Sequence, residues 1–429
     1  KQTGTKPVLI GHDCGTIKEV DQAIAHGLGN FCWLPKLGMF PIDHWSRDPR
    51  MDIFINASAL SRAGCAVLFS QRRGLGDMVR PVTILEGWAQ DTSPEIYDPQ
   101  EVATLKTLTG DSMVGLFMEE MDISMIQGAL REETAKEVPA LYEYADRHGG
   151  RMSYQNEIAK YVKRYHEQGC AALVNCGVTY PFATYRAGAD IVLAELQEHM
   201  LTNSLQLAYL RGAQRQFARP FGAWLSMWYY LKLPGDDPQM REWNQGVGAT
   251  APDTGYSPEE LRASLHQAYF SGAQIIVPQD SVHLFTDFNR DGQWELSRWG
   301  KVLKEFYDQT RHLSPVRPLC RVAIMIDPDS GFAPPNLWQG WPSWNDKKQW
   351  HGNGVANVWG KLPPARCDVM QKEVYRLINP GFDRCGLAKY PGTFTDTPLG
   401  PVDVVESDIG LEQLTAYRTV IVAGYFKPS

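Results

Sequence analysis

Carboxylic acids directly follow two apolar runs of this sequence. Glu119 and Glu120 come after the run 114–118, and Glu195 comes after the run 191–194. A carboxylate at the end of a buried segment is costly unless it is paired or takes part in chemistry. Two carboxyl groups that face each other can cleave a glycosidic bond, one as the general acid and the other as nucleophile or as the base that activates water.

Further polar and aromatic side chains follow other apolar runs, and their types suit the recognition of a sugar. Carboxylates and amides hydrogen-bond hydroxyl groups, whereas Trp and Tyr offer a flat face on which a pyranose can stack. We therefore expect a second set of residues to bind the substrate: His12, Asp13, Trp33, Asn175, Tyr180, Trp228, Gln279 and Asp280.

The elements that must position these residues are eight short apolar runs separated by helical patterns. Such uninterrupted apolar runs are typical of parallel strands that are buried on both faces. The predicted strands are 8–13, 30–34, 65–70, 113–120, 171–178, 190–195, 221–229 and 274–279. The helix predictions include 17–26, 53–63, 134–148, 157–168, 204–217 and 258–270. Eight alternations within residues 1–312 predict an α/β fold, a catalytic (β/α)8 TIM barrel.

A doubly wound open sheet is the competing architecture. A dinucleotide-binding sheet of that kind carries GxGxxG after its first strand, whereas residues 11–15 read GHDCG. In the barrel, catalytic side chains lie at the carboxyl ends of the strands, so the candidate residues converge on one rim. Alternation along a strand sends Glu119 and Glu120 to opposite sides. We favour Glu120 as the acid because barrel catalytic residues tend to occupy the last strand position.

A second, smaller domain is predicted over residues 319–429. Two prolines within 311–318 indicate a linker, and apolar strands follow at 321–326, 401–406 and 419–424. This order predicts a flavodoxin-like α/β domain. The last strand lies close to the final residue, as expected if the domain is incomplete. The segment 338–359 carries five Trp residues without helical or strand periodicity. So many Trp side chains in a loop indicate a sugar contact or a subunit contact.

The whole layout resembles the β-galactosidases of glycoside hydrolase family 42 and their relatives. The resemblance is carried by the barrel pattern, by SPEELRASLHQAYFSG at 257–272, by VAIMIDPDSG at 322–331 and by TVIVAG at 419–424. It implies a catalytic barrel followed by a flavodoxin-like, glutamine-amidotransferase-like domain that builds a trimer. We therefore expect a homo-oligomer formed through the second domain.

The sequence also departs from that family at both catalytic positions. The family carries Asn-Glu at the end of strand four as acid/base, where this chain reads Met118-Glu119-Glu120. The family's nucleophilic Glu ends strand seven, but residues 221–230 read FGAWLSMWYY and contain none. The partners that remain for the strand-four carboxylate are Glu195 on strand six, which we favour as nucleophile or base, and the Gln279-Asp280 end of strand eight.

These observations predict a glycoside hydrolase that cleaves an oligo- or polysaccharide. One alternative is a carbohydrate-binding barrel that has no catalytic activity. The other is a polysaccharide lyase, in which Tyr180 would be the base and Arg72 or Arg73 would neutralise a uronate. Localisation stays open between a secreted or periplasmic and a cytoplasmic protein of a polysaccharide-degrading bacterium.

Composition excludes several other classes of protein. The 429 residues carry a net charge of −7 without a basic stripe, which argues against nucleic acid as a partner. No apolar run approaches the roughly 20 residues of a membrane span. The eight cysteines form no CxxC pair and no HExxH motif occurs, so neither a zinc site nor an organic cofactor is expected.

A short acidic motif leaves a structural calcium ion as an alternative to a plain turn. Asp287, Asn289 and Asp291 have the spacing of the first half of a calcium-binding loop. The bidentate Glu of such a loop is missing, since Arg298 stands at its position. A turn rich in Asn, Asp and Gly is the better interpretation.

Overall fold

The structure is a computed structural model. It describes residues 7–14, 16–35, 49–70, 98–118, 147–177, 180–197, 202–226, 257–279, 284–285, 294–331, 373–374, 377–378 and 400–424.

Eight parallel strands close into a barrel in which each strand pairs with the next and the eighth pairs with the first. The strands are β1 (Leu9–Asp13), β2 (Phe31–Pro35), β3 (Ala66–Ser70), β4 (Met113–Met118), β5 (Ala172–Asn175), β6 (Ile191–Gln197), β7 (Phe221–Ser226) and β8 (Ile275–Pro278). The predicted (β/α)8 barrel is confirmed.

Helices alternate with the barrel strands. They are α1 (Ile17–His26), α2 (Pro49–Arg62), α3 (Pro99–Thr109), α4 (Arg147–Glu167), α5 (Pro181–Arg186), α6 (Thr202–Phe217), α7 (Pro258–Phe270) and α8 (Arg298–Thr310). Most of the predicted helix 134–148 lies outside the described residues. Within the described residues, no helix has the length and apolar character of a membrane span.

Local sequence signals explain where several helices begin. The Thr16 side chain accepts a hydrogen bond from the backbone of Glu19, whose carboxylate in turn accepts one from the Thr16 backbone. This capping box satisfies donors that the first turn of α1 cannot pair internally. Ser257 caps α7 in a similar way, ahead of Pro258 at the first helical position. The predicted bounds of α1 and α7 are those observed.

Side-chain alternation divides the barrel residues into two layers. One set packs inside the barrel: Phe31, Trp33, Leu68, Phe117, Leu173, Leu193, Trp224, Ile275 and Val277. The intervening residues pack outward against the helices, for example Ile10, Cys32, Val67, Leu116, Val192 and Ile276. Both faces of every strand are therefore buried, as the continuous apolar runs predicted.

Strand β4 contains an irregularity that resets this alternation. The pairing of β3 with β4 shifts between Val67 and Leu68, so that Leu68 lies opposite Gly115 and Val114 is skipped. Val114 and Phe117, three residues apart, both pack on the interior cluster. A glycine is required at the bulge because a Cβ at Gly115 would lie 2.4 Å from the carbonyl oxygen of Ala171.

A second, three-stranded parallel sheet has the order β10–β9–β11. Its strands are β9 (Val322–Ile326), β10 (Val402–Glu406) and β11 (Thr419–Ala423), accompanied by the short helices α9 (Pro328–Gly331) and α10 (Leu411–Leu414). The three predicted strands are confirmed, whereas a flavodoxin-like domain is not shown by the described residues. The proposed division between 1–312 and 319–429 stays a prediction.

The second sheet packs directly on helix α6 of the barrel. Arg211 of α6 donates to the Asp403 carboxylate at 2.8 Å and to the carbonyl oxygen of Val402 at 2.7 Å. Tyr417 donates to the other Asp403 oxygen at 2.9 Å. Arg211 and Asp403 are both buried. A buried ion pair with these additional hydrogen bonds fixes the orientation of the sheet on the helix.

We predict that Gly212→Ala lowers the free energy of unfolding by about 1–3 kcal/mol. An alanine Cβ at Gly212 would lie 1.6 Å from the carbonyl oxygen of Val404, so α6 and β10 would have to separate. In an ordinary helix interior the same change is stabilising by about 0.5–1 kcal/mol. Urea denaturation of the parent and the variant measures whether the substitution lowers or raises the free energy of unfolding.

Gln214→Ala on the same helix serves as the control and is expected to change stability by about 0.5 kcal/mol or less. A Gly212→Ala protein as stable as the parent would contradict the tight packing of α6 on β10.

Candidate active site

A layer of polar side chains lies inside the barrel at the carboxyl ends of the strands. Four of them follow an interior apolar residue by two positions, and Asp13 follows interior Leu9 by four, so alternation places all of them on the interior face. Because all eight strands are parallel, these side chains meet at one end of the barrel. The layer consists of Asp13, Ser70, Asn175, Glu195 and Gln279.

Glu195 is the acidic residue of this layer on strand β6. It lies opposite Trp224 of β7 in the parallel register, and only 8% of its surface is exposed. Asn175 and Gln279 are also buried. The backbone N–H of Gln279 donates to the backbone carbonyl oxygen of Leu225 at 2.9 Å and so extends the pairing of β8 with β7. Asp13 is partly exposed and lies opposite Trp33. The structure thus brings together four of the predicted site residues.

Three aromatic rings fill the barrel interior near this polar layer. Trp33 and Trp224 have ring centroids 5.0 Å apart, and Phe117 lies 5.5 Å from Trp33 and 5.9 Å from Trp224. All three pairs have the edge-to-face geometry that aromatic quadrupoles favour. Trp33 is 1% exposed, so its placement does not support the expected role as a stacking platform for a sugar.

His12 lies on the opposite face of β1 from the polar layer. It is the register partner of outward-facing Cys32, and its Nδ1 lies 3.6 Å from the Cys14 Sγ and 2.7 Å from the Asp13 carbonyl oxygen. This placement does not support the expected contact of His12 with a sugar. Burial lowers the pKa of His12 to about 4, since a buried imidazolium is poorly solvated.

Tyr180 lies in the helical layer and not on the barrel rim. It precedes α5, is 1% exposed and packs on Tyr154 of α4 with ring centroids 5.1 Å apart. The expected role of Tyr180 in binding a sugar, or as the base of a lyase, is not supported by this position.

Other predicted site residues lie outside the described residues. These are Glu119, Glu120, Trp228 and Asp280, together with Asp287, Asn289 and Asp291 of the possible calcium loop and the Trp-rich segment 338–359. Within the described residues, no group of His, Cys, Asp or Glu side chains is arranged to hold a metal ion.

Sequence reasoning missed Trp224 as a neighbour of the candidate carboxylate. Its signal was available, because Trp224 stands in the middle of the seventh apolar run. From the sequence, however, a Trp within a buried strand is predicted to be a core residue. Only the pairing of β7 with β6 reveals that Trp224 lies beside Glu195.

We predict that His12 makes stability depend on pH in the acidic range. Its pKa is lower in the folded chain than in the unfolded chain, so the unfolded chain takes up the proton first as the pH falls. Between about pH 6.5 and 4 the free energy of unfolding should therefore fall by up to about 3 kcal/mol on account of His12. Urea denaturation across this range should show a flatter profile for His12→Asn.

The exposed residue His312 supplies the control, since His312→Asn keeps His12 and should keep the parent's decline. Equal slopes for the parent and His12→Asn would show that His12 is not buried in its neutral form.

Comparison with known proteins finds similarity at the level of structure. Neither a family model nor a curated protein sequence matches the chain. A GH5_18 protein of Bifidobacterium longum subsp. longum, solved in complex with Manβ1-4GlcNAc, superposes with a TM-score of 0.50 at 12% identity, covering 99% of this chain and 97% of that one. The exo-β-1,4-mannosidase Op5Man5 of an Opitutaceae bacterium superposes with a TM-score of 0.51 at 11% identity, covering 99% and 74%.

At these identities the similarity shows a shared fold. The narrower resemblance to glycoside hydrolase family 42 is not confirmed. The chain therefore has a (β/α)8 barrel fold in common with these two proteins.

Proposed function

We propose that this protein is a glycoside hydrolase whose site lies at the carboxyl end of the barrel. The observation that supports the proposal most directly is the position of Glu195, a buried carboxylate on an interior strand position opposite Trp224. Catalytic residues of this fold project from that end. Both similar structures named above are proteins of saccharide chemistry by their names or ligands, which agrees with the proposal.

In this mechanism Glu195 acts as nucleophile or as the base that activates water. The second carboxyl group, Glu119 or Glu120, protonates the leaving oxygen. A separation of about 5–5.5 Å between the two carboxyl groups gives retention of configuration, and about 6.5–9.5 Å gives inversion. Asn175, Gln279 and Asp13 bind hydroxyl groups of the sugar through their polar atoms.

The bulge in β4 bears on the choice between the two glutamates. In a strand without a bulge, every second residue from Val114 would face the interior, and Glu120 would be among them. The tendency of catalytic residues to occupy the last strand position also favours Glu120. Counted from Phe117, which packs in the interior beyond the bulge, the same rule favours Glu119. Both glutamates are therefore candidates for the acid, and single substitutions separate them.

A lyase is the less supported alternative. Elimination from a uronate needs a cation to neutralise the substrate carboxylate, and no interior position in the described parts of the eight strands carries Lys, Arg or His. Arg72 and Arg73 lie outside the described residues, and Tyr180 packs in the helical layer. A barrel that only binds sugars remains an outcome of the experiment below.

We predict that Glu195→Gln lowers kcat about 10³-fold or more, because the amide cannot act as nucleophile or base. One of Glu119→Gln and Glu120→Gln should cause a loss of about 10²-fold or more, and the other should cause little. Turnover is measured on a panel of aryl glycosides and polysaccharides, and thermal unfolding confirms that each variant folds.

Glu167→Gln is the matched control, since that side chain is 64% exposed on α4. Unchanged turnover of Glu195→Gln would remove the catalytic assignment. An unsaturated product from the parent protein would identify a lyase instead, and sugar binding without any turnover would identify a binding protein.

A further inference from the structure

The segment that connects the barrel to the second sheet carries exposed apolar and basic side chains. Residues 311–321 read RHLSPVRPLCR, with three arginines, one histidine and no acidic residue, in a chain whose net charge is −7. Leu319 is 72% exposed and Leu313 is 53% exposed. A single exposed leucine is ordinary, whereas several large apolar side chains beside free charges indicate an interaction surface.

This connecting segment lies along the end of helix α7 and the loop that leads to β8. The Tyr269 hydroxyl donates to the carbonyl oxygen of Ser314 at 3.2 Å. A Cβ at Gly272 would lie 3.1 Å from Cδ of Pro318. Since the loop between α7 and β8 enters the amino end of β8, the segment lies near the amino end of the barrel. The candidate site is at the carboxyl end.

Three large apolar side chains flank these contacts. Phe270 follows Tyr269 in the sequence and is 58% exposed. Leu313 precedes Ser314, and Leu319 follows the proline that touches the loop. We call Phe270, Leu313 and Leu319 the apolar group.

Three arginines without ion pairs lie beside the apolar group. Arg317 and Arg321 belong to the connecting segment, and the backbone N–H of Arg418 donates to the carbonyl oxygen of Arg321 at 2.8 Å. All three arginines are exposed, and within the part of the chain that the structure describes none of their guanidinium groups has a carboxylate partner. Other arginines are paired, for example Arg211 and Arg262. The three positive charges are therefore available to an external anion.

An anionic lipid surface fits this combination of side chains. Apolar side chains can enter the acyl boundary of a bilayer while basic ones bind the charged headgroups. Pro315 and Pro318 have no backbone N–H, so the segment has fewer donors to remove from water when it enters the headgroup layer. A two-fold contact with a second copy of the chain fits less well, because it would bring the free arginines of both copies together.

We propose that this surface docks the protein peripherally on an anionic lipid membrane, with the apolar group at the acyl boundary and Arg317, Arg321 and Arg418 on the headgroups. Docking of this kind needs no membrane-spanning segment. The membrane then contacts the protein near the amino end of the barrel, and the carboxyl end stays open to the aqueous phase. The inference does not depend on the proposed function.

Flotation of the full chain with lipid vesicles tests the proposal. Vesicles of phosphatidylcholine with roughly 30% phosphatidylglycerol are compared with vesicles of phosphatidylcholine alone. We expect at least about tenfold stronger partitioning onto the anionic vesicles, because each arginine near such a surface contributes about fivefold. Salt at about 0.5 M should remove most of this preference, because it screens the charges.

Substitutions within the surface should weaken the binding to anionic vesicles. The double variant Arg317→Gln/Arg321→Gln is expected to bind at least about tenfold more weakly, since two charges are lost. Leu319→Ser is expected to bind about fivefold more weakly, since the polar side chain gains little from the acyl boundary. Thermal unfolding shows whether each variant is folded.

Two matched controls change the same kinds of side chain elsewhere. Arg62→Gln/Arg164→Gln removes the same charge from exposed positions on α2 and α4, and Ile55→Ser removes an apolar side chain that is 45% exposed on α2. Each control should weaken binding by less than about threefold, because surface attraction falls off within a Debye length.

Four results would overturn the proposal. They are equal partitioning onto neutral and anionic vesicles, no binding to either, binding by the surface variants that equals the parent's, and controls that weaken binding as much as the surface variants do. A dimer in sedimentation velocity that Leu319→Ser dissociates would show that a second copy covers the surface, and would overturn the proposal as well.

Discussion

Closure of eight parallel strands into one barrel is the constraint on which the rest of the structure depends. Closure buries one face of every strand inside the barrel, while the helices bury the other. Parallel direction then sends each interior residue near a strand's end to the same end of the barrel. Asp13, Asn175, Glu195 and Gln279 are distant in sequence and meet only for this reason. Polar side chains there are tolerated because the apolar layers beneath them supply the core.

Helix α6 connects the candidate site with the second sheet. Strand β6 carries Glu195, and α6 is the helix that follows it. The same α6 holds the second sheet through the buried pair of Arg211 and Asp403 and through the close approach at Gly212. Helix α6 packs on the barrel strands on one side and on the second sheet on the other. A change at the contact between α6 and β10 can therefore alter stability without touching any residue that we propose to contact a sugar.

Much of the fold could be predicted from the sequence, whereas much of the site could not. Strands buried on both faces appear as apolar runs, and capping residues such as Thr16 and Ser257 mark helix starts. A continuous apolar run does not reveal which of its residues face inward, so His12 and Asp13 looked equivalent although they lie on opposite faces. The bulge at Gly115 similarly reverses the alternation that precedes Glu119 and Glu120. Tyr180 follows a strand, yet packs on Tyr154 because α5 begins immediately after it.

The most direct test of the central claim is a crystal structure of the Glu195→Gln protein with a saccharide that the parent hydrolyses. The distance to measure joins the side-chain oxygen of residue 195 to the anomeric carbon, or to a water molecule in line with that carbon. The proposed function predicts a sugar at the carboxyl end of the barrel with one of these distances at about 3–3.5 Å. A sugar bound elsewhere on the protein, with residue 195 enclosed by side chains and out of reach, would contradict it.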